Sequence, residues 1–461
     1  MIFEQHYLEC LSQASYFIGD ETTGRAVVVD PRRDVAPYLA SAAEHGMTIE
    51  LVIETHFHAD FLSGHLELAA ATGATIAYGS AAETEFQSRR LADGERISLG
   101  EVTLEIRHTP GHTPESISIV VYENAIDETP YGVLTGDTMF IGDVGRPDLL
   151  SSVGVTSEEL AAQLYESLHG KIMTLPDETI LYPGHGAGSS CGKNLSSATS
   201  CSIGKQRQNN YAVAPMSKDE FIAVVTEGQS APPAYFAYDA TLNRKSRKLL
   251  DESTSPTAMT LDEVLAACEA GAIPLDTRSP VDFATGHLAG SINIGLSGRY
   301  AEFAGGILSP ATDIVLITEP GYELESRIRL ARIGFDNVIG HLVNPIQTLS
   351  DHPDHTRRSS RLDVAGLRRA IEDVPNLQLV DVRQPGETEG GIINGAIKVP
   401  LTRLNEMLTT LDTDRPTIVY CAGGFRSSIA ASRMIRGGFN DVSDLLGGYG
   451  AWDAATDTAP A

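Results

Sequence analysis

The sequence predicts a multidomain α/β protein, and three observations carry that reading. The chain has 461 residues, more than one ordinary domain holds. Its first half alternates short β-branched apolar runs with helix-like stretches, the pattern of sheets covered by helices. Its second half repeats itself. Leu275-Asp276-Thr277-Arg278 matches Val380-Asp381-Val382-Arg383 at an offset of 105, and Gly286 and Gly290-Ser291-Ile292 match Gly391 and Gly395-Ala396-Ile397. Ile314-Val315 then matches Ile418-Val419, and Ile333-Gly334-Phe335 matches Gly437-Gly438-Phe439, at an offset of 104. Three domains are expected, at residues 1–252, 257–350 and 360–461.

The elements follow in order. A hairpin-like pattern, Ala14 to Asp20 and Gly24 to Asp30, surrounds Glu21-Thr22-Thr23. Pro37 to His45 reads as a helix stopped by Gly46. Ile49 to Ile53 is a buried strand, short and β-branched. A helix near His65 to Thr72 and strands around Thr75-Tyr78 and Val102-Arg107 come next. Pro232-Pro233 and the basic run Arg244 to Lys248 mark the end of this domain, and Ser253-Thr254-Ser255-Pro256 is a linker. Asp351 to His355 separates the two repeat copies.

The strand Ile49 to Ile53 runs into Thr55-His56-Phe57-His58-Ala59-Asp60. In extended backbone, residues two apart share a side, so His56 and His58 can face one metal with Asp60 next in line. His112 follows a Pro-Gly turn, Asp137 ends the apolar run Tyr131 to Leu134, and His185 follows the strand-like Thr179-Ile180-Leu181. In the last copy the apolar Thr417 to Tyr420 meets Cys421-Ala422-Gly423-Gly424-Phe425-Arg426, then a helix from Ser427 to Ile435. Small residues let successive N–H groups point into such a loop, and the helix N-terminus adds its positive dipole. That environment stabilises a thiolate or persulfide at Cys421. Arg426 can hold a sulfonate oxygen. In the middle copy the 104 offset places Ile317 at the cysteine and Tyr322 at the arginine, beside an acidic loop. That copy is expected to be structural or to dock a partner.

The net charge of −27 argues against nucleic acid or an anionic membrane as a main partner. No apolar run approaches a membrane span, and Met1 to Cys10 lacks a signal-peptide pattern. Five scattered cysteines are no disulfide framework and suit a reducing cytoplasm. A cytoplasmic location is therefore expected; a homo-oligomer is expected as well, though no residue pattern specifies it.

Four ligand-bearing turns in this order resemble the metallo-β-lactamase superfamily, whose fold is an αββα sandwich. Both repeat copies resemble rhodanese-like α/β domains, through the D-x-R after a strand and the terminal G-F-x-x-V. Dinuclear hydrolases such as glyoxalase II carry H-x-H-x-D-H, and here the last position is Phe61. Glu54 to His65 and Gly142 to Asp148 resemble persulfide dioxygenases, and the whole order resembles bacterial persulfide dioxygenase–sulfurtransferase fusions. That resemblance implies one Fe(II) per chain held by His56, His112 and Asp137, with zinc as the alternative on ligand type alone. It implies supporting or substrate roles for His58, Asp60, His185, Arg146, Cys201, Lys193 and Arg207. Cys191 lies in the same loop and stays open. The implied substrates are a small thiol persulfide, O₂ and sulfite, with thiosulfate formed through Cys421. The carrier is open among glutathione, coenzyme A, cysteine or another thiol. The alternatives are a glyoxalase II-type thioester hydrolase and a non-enzymatic persulfide sensor or sulfur carrier.

Overall fold

The structure, a computed structural model, describes residues 1–149, 154–229 and 231–457. Residues 150–153 and 230 of the first expected domain, and 458–461 of the last, lie outside the described residues. The chain divides into two compact units, Met1–Asp251 with Ala331–Gly334, and Glu252–Leu330 with Phe335–Ala461.

In the first unit, β1 (Ile2–Leu8), β2 (Gln13–Asp20), β3 (Arg25–Val29), β4 (Thr48–Ile53), β5 (Thr75–Gly79) and β6 (Arg89–Leu91) form one sheet in chain order. A second sheet runs from β7 (Arg96–Ser98) through β8 (Thr103–His108), β9 (Ile117–Tyr122), β10 (Gly132–Gly136) and β13 (Ile180–Pro183) to β14 (Cys201–Ser202). A small pair, β11 (Met139–Phe140) and β12 (Asp143–Val144), stands apart. The sequence reading passed over β1, an edge strand whose residues are all half-buried and show no buried face.

Alternation sorts the apolar side chains into three layers. Tyr16, Ile18, Val27, Val29, Leu51 and Ile53 from the first sheet meet Leu104, Ile106, Ile119 and Leu134 from the second in one core. Phe17, Val28 and Val52 point the other way, onto Tyr38 and Leu68 of helices Ala36–Glu44 and His65–Thr72. Val120, Val133 and Leu181 cover the outer face of the second sheet with Ala161 and Leu164 of helix Ser157–Ser167 and Phe221 of helix Lys218–Thr226. This is a helix–sheet–sheet–helix sandwich. Both of the last two helices open with a capping box, Thr156 with Glu159 and Ser217 with Glu220, a signal present in the sequence.

The second unit holds two five-stranded sheets. The first runs in the order β15 (Ala258–Met259), β20 (Val338–Leu342), β19 (Ile314–Ile317), β16 (Ile273–Asp276), β18 (Ile292–Asn293). A short pair, β17 (His287–Leu288) and β21 (Thr356–Arg357), lies beside it. The second sheet runs β22 (Ser360–Leu362), β26 (Val442–Leu445), β25 (Thr417–Tyr420), β23 (Gln378–Asp381), β24 (Ile397–Lys398). All these pairings within the two sheets are parallel, and the strand orders correspond one to one. The repeat is also visible in the buried ion pairs. Arg278 Nε donates to Asp276 Oδ1 at 3.0 Å, and Arg383 Nε to Asp381 Oδ1 at 3.0 Å.

Sheet register corrects one equivalence. Asp276 lies opposite Ile317, and its counterpart Asp381 lies opposite Tyr420. Thr277 N–H donates to Ile317 O, as Val382 N–H does to Tyr420 O. Thr318, not Ile317, therefore occupies the place of Cys421. Two short apolar runs slide past each other without penalty in a sequence comparison, whereas ladder hydrogen bonds fix one register.

Candidate metal centre and thiol loop

The turn after β4, the turn between β8 and β9 and the turn after β10 bring His56, His112 and Asp137 together. One ligand atom from each lies within 4.8 Å of the others, and all three residues are buried. His56 Nε2 is 3.8 Å and His112 Nε2 3.5 Å from Asp137 Oδ2. Each imidazole is oriented through its other nitrogen. His112 Nδ1–H donates to Arg146 O at 2.9 Å, and His56 Nδ1–H to Thr55 Oγ1 at 2.9 Å. Thr55 Oγ1 in turn donates to Asp30 Oδ2 at 2.8 Å. Both Nε2 atoms are thereby left as lone-pair donors. Asp137 Oδ2 is buried with no hydrogen-bond partner, which a cation would satisfy.

Electrostatics agree. Burial and the neighbouring His58 hold His56 well below its ordinary value, so the ring is neutral and able to ligate. Burial alone would raise the Asp137 carboxyl, but His185 beside it outweighs that and holds it below the usual range. Glycine is required where the backbone closes on this site. A Cβ at Gly145 would meet Asp137 O at 1.9 Å. Gly136, at φ +49°, would place one 2.5 Å from Thr55 Oγ1.

His58 points elsewhere. Its Nε2 lies 3.2 Å from Asp30 Oδ1 and 3.5 Å from Glu54 Oε2, and those carboxylates outweigh burial and push it up to about 10. His185 lies between two carboxylates, its Nδ1 2.8 Å from Asp137 Oδ1 and its Nε2 2.8 Å from Asp60 Oδ2. Those two groups outweigh burial and raise it well above its ordinary value. Phe61, fully buried, packs against the His58 ring in a tilted arrangement, with 4.4 Å between ring centroids.

Asp60, His185 and Cys191 form a second buried cluster within 4.8 Å. The resemblance gave Cys201 a supporting role and left Cys191 open; the structure brings Cys191 to the site. Burial and the charges of Asp60 and Asp137 raise its thiol well above the ordinary value. Cys201 lies in β14, half-buried, opposite Leu181.

The remaining predicted residues separate. Arg146 contributes through its backbone, while its guanidinium grips Asp148 at 2.7 and 2.8 Å. Lys193 Nζ caps helix Lys218–Thr226 at the carbonyls of Val224 and Glu227. Arg207 binds Asp177 and the carbonyls of Met173 and Leu175. Neither lines the cavity of about 830 Å³ that flanks the cluster. Phe57, Ala59 and Thr113 line it beside the ligands, and Arg244 and Lys245 supply its cationic groups. The Arg244 guanidinium sits 4.5 Å over the Phe57 ring. The sequence places Arg244 to Lys248 at the domain's end; the structure puts the first two of these residues on the cavity wall.

In the second unit, Cys421 is buried at the end of β25. Its Sγ accepts from Gly424 N–H at 3.1 Å and lies 3.7 Å from Ser427 Oγ. Gly424, at φ +93°, caps helix Phe425–Arg436, which begins two residues earlier than expected. Arg426 does not face an empty loop. Both its terminal nitrogens donate to Glu387, at 2.6 Å each. Replacing Glu387 by Gln should free Arg426 for an added anion and tighten binding of a sulfur oxyanion probe such as thiosulfate by about three- to tenfold. Calorimetric titration of the parent and Glu387→Gln with that probe checks this.

Two family models match the chain. "Metallo-beta-lactamase superfamily" covers residues 8–185, and "Rhodanese-like domain" covers 363–455. The crystal structure of a metallo-beta-lactamase from Staphylococcus aureus subsp. aureus COL is 35% identical. It covers 74% of this chain and 98% of that one, with a TM-score of 0.67. Persulfide dioxygenase ETHE1, mitochondrial, from Homo sapiens is 31% identical over 175 residues, 37% of this chain and 63% of that protein. Cytoplasmic hydroxyacylglutathione hydrolase from Arabidopsis thaliana is 33% identical over 182 residues, 39% of this chain and 66% of that protein. The chain thus spans less than two thirds of the length of these two curated relatives. No helix among the described residues is long and apolar enough to cross a membrane. Fold, buried ligand set and relatives agree that the chain belongs to the metallo-β-lactamase superfamily, with a rhodanese-like domain in its C-terminal part.

Proposed function

We propose that the protein oxidises a low-molecular-weight thiol persulfide with O₂ to sulfite at one iron, then forms thiosulfate through Cys421. The observation that carries this reading is the convergence of two neutral-oriented histidines and one carboxylate, His56, His112 and Asp137. Two histidines and a carboxylate on one face suit a non-haem Fe(II), which supplies open positions for substrate and O₂ when bound. The likeness to persulfide dioxygenases supports the same choice.

The chain's own residues then have distinct tasks. Thr55 and the Arg146 carbonyl fix the ring planes of His56 and His112. A protonated His185 between Asp60 and Asp137 supplies there the positive charge that a second cation would bring. Phe57, Ala59 and Thr113 wall the approach, and the lining sets Arg244 and Lys245 beside Glu83, Glu85 and Asp148, a mixed-charge wall that can receive a carrier bearing both ammonium and carboxylate groups. In the second unit, Cys421 takes sulfur from a second persulfide and passes it to sulfite, which Arg426 holds once released from Glu387. We read residues 257–350 as a second rhodanese-like copy that carries no sulfur. Thr318 stands at its cysteine position, and Glu323 already caps the loop's Gly321 N–H at 2.9 Å.

A thioester hydrolase remains the second reading, favoured by the hydroxyacylglutathione hydrolase relative and the Asp60, His185, Cys191 cluster. Metal counting separates the two. Protein prepared without oxygen should carry one iron per chain when fully active. Two metals per chain in the active form would contradict the mononuclear reading.

A further inference from the structure

The middle copy of the second unit has a cavity where its thiol would be. It measures about 360 Å³ and lies at the carboxyl ends of β16 and β19. The strand order reverses between those two strands, the place where open α/β sheets bind ligands. Thr277 and Thr318 form the strand ends, with Glu319, Glu325 and Arg329 as its charged groups and Leu296 and Phe425 among its apolar ones.

Two buried polar atoms on this lining have no hydrogen-bond partner, Thr277 Oγ1 and Arg329 Nε. Thr277 is 4% exposed. Arg329 spends its terminal nitrogens on the carbonyls of Leu296 and Gly298, with Glu325 Oε1 3.5 Å away as a long ion-pair partner, which leaves only Nε–H to donate into the cavity. Buried donors of this kind are costly unless a ligand or water meets them. In the last copy the position of Thr277 is Val382 and that of Thr318 is Cys421, so the middle copy has lost a thiol and gained two hydroxyls. Two carboxylates against one guanidinium make the cavity net negative, the wrong sign for sulfite or thiosulfate.

We propose that this cavity binds the α-ammonium-bearing head of an amino acid or short peptide thiol. The exposed Glu319 and Glu325 take the ammonium. Thr277 Oγ1 and Arg329 Nε–H donate to a carboxylate or carbonyl oxygen, and Leu296 and Phe425 cover the aliphatic part. Phe425 is also one residue from Arg426, so the wall of this site is built partly from the Cys421 loop. The middle copy would then hold the organic end of a thiol carrier rather than its sulfur.

The test is calorimetric titration of the full chain with unreactive thioethers, S-methyl-L-cysteine and S-methylglutathione. N-acetyl-S-methyl-L-cysteine, which lacks the cation, is the control. No persulfide is consumed, so the outcome is independent of the dioxygenase reading. The parent should bind S-methyl-L-cysteine or S-methylglutathione saturably. In Thr277→Val, and in the surface double variant Glu319→Gln/Glu325→Gln, that affinity should fall at least about tenfold, or the bound probe should fall by one per chain. The acetylated control should not bind. Equal binding of the control, isotherms unchanged in both variants, or no saturable binding at millimolar probe would each overturn the proposal.

Discussion

Asp137→Ala is expected to strip the protein of its metal and abolish O₂ uptake. The carboxylate is the only anion among the three converging donors, and two neutral imidazoles alone hold a divalent ion weakly. Its loss also removes a partner of His185, whose Nδ1 donates to Asp137 Oδ1 at 2.8 Å. Metal content should fall from one per chain to a small fraction, and persulfide-dependent O₂ consumption below detection. Cys421 lies in the other compact unit, so thiosulfate:cyanide sulfurtransferase activity should persist and report that the variant is folded. Metal analysis and an oxygen electrode make the comparison, with Asp137→Asn as a variant of preserved shape. Full metal content and O₂ uptake in Asp137→Ala would remove this residue from the ligand set.

Cys421→Ser should have the opposite profile. A serine hydroxyl in the same loop is far too weakly acidic to attack a persulfide sulfur at neutral pH. Sulfurtransferase turnover should drop by about 10⁴-fold or more, as when a covalent nucleophile is removed. O₂ uptake with a persulfide should continue, and sulfite should accumulate where the parent yields thiosulfate. The same variant tests the middle copy. Thr318 stands at the place of Cys421, and the nearest cysteine by sequence in that copy, Cys268, lies on helix Leu261–Glu269. Residual sulfurtransferase turnover in Cys421→Ser would therefore assign sulfur transfer to another site.

How far the sequence was readable follows from the range of each interaction. The strand exits were legible because strand propensity is local, but spacing alone paired His56 with His58, which turns to Asp30 and Glu54; the set His56, His112 and Asp137, which the structure brings together, came from the family resemblance. The Cys421 loop was legible for the same reason. Glu387 was not anticipated as the partner of Arg426, because 39 residues separate them. Cys191 and Cys201 share one Gly- and Ser-rich loop with no periodicity, so nothing local told them apart. Lys193 and Arg207 looked like anion-binding groups, yet both satisfy backbone carbonyls at helix or loop ends. The misplaced Ile317 shows how an internal repeat slips by one residue when the matching strands are uniformly apolar.

The most direct test is the ratio of persulfide consumed to O₂ consumed by the iron-loaded protein. Oxidation of one persulfide by one O₂ and one water gives free thiol and sulfite. Transfer of sulfur from a second persulfide to that sulfite gives a second thiol and thiosulfate. The parent should therefore consume two persulfides for each O₂ and accumulate thiosulfate, while Cys421→Ser should consume one and accumulate sulfite. Hydrolysis of S-lactoylglutathione without O₂ uptake on the persulfides of glutathione, coenzyme A or cysteine would contradict the account.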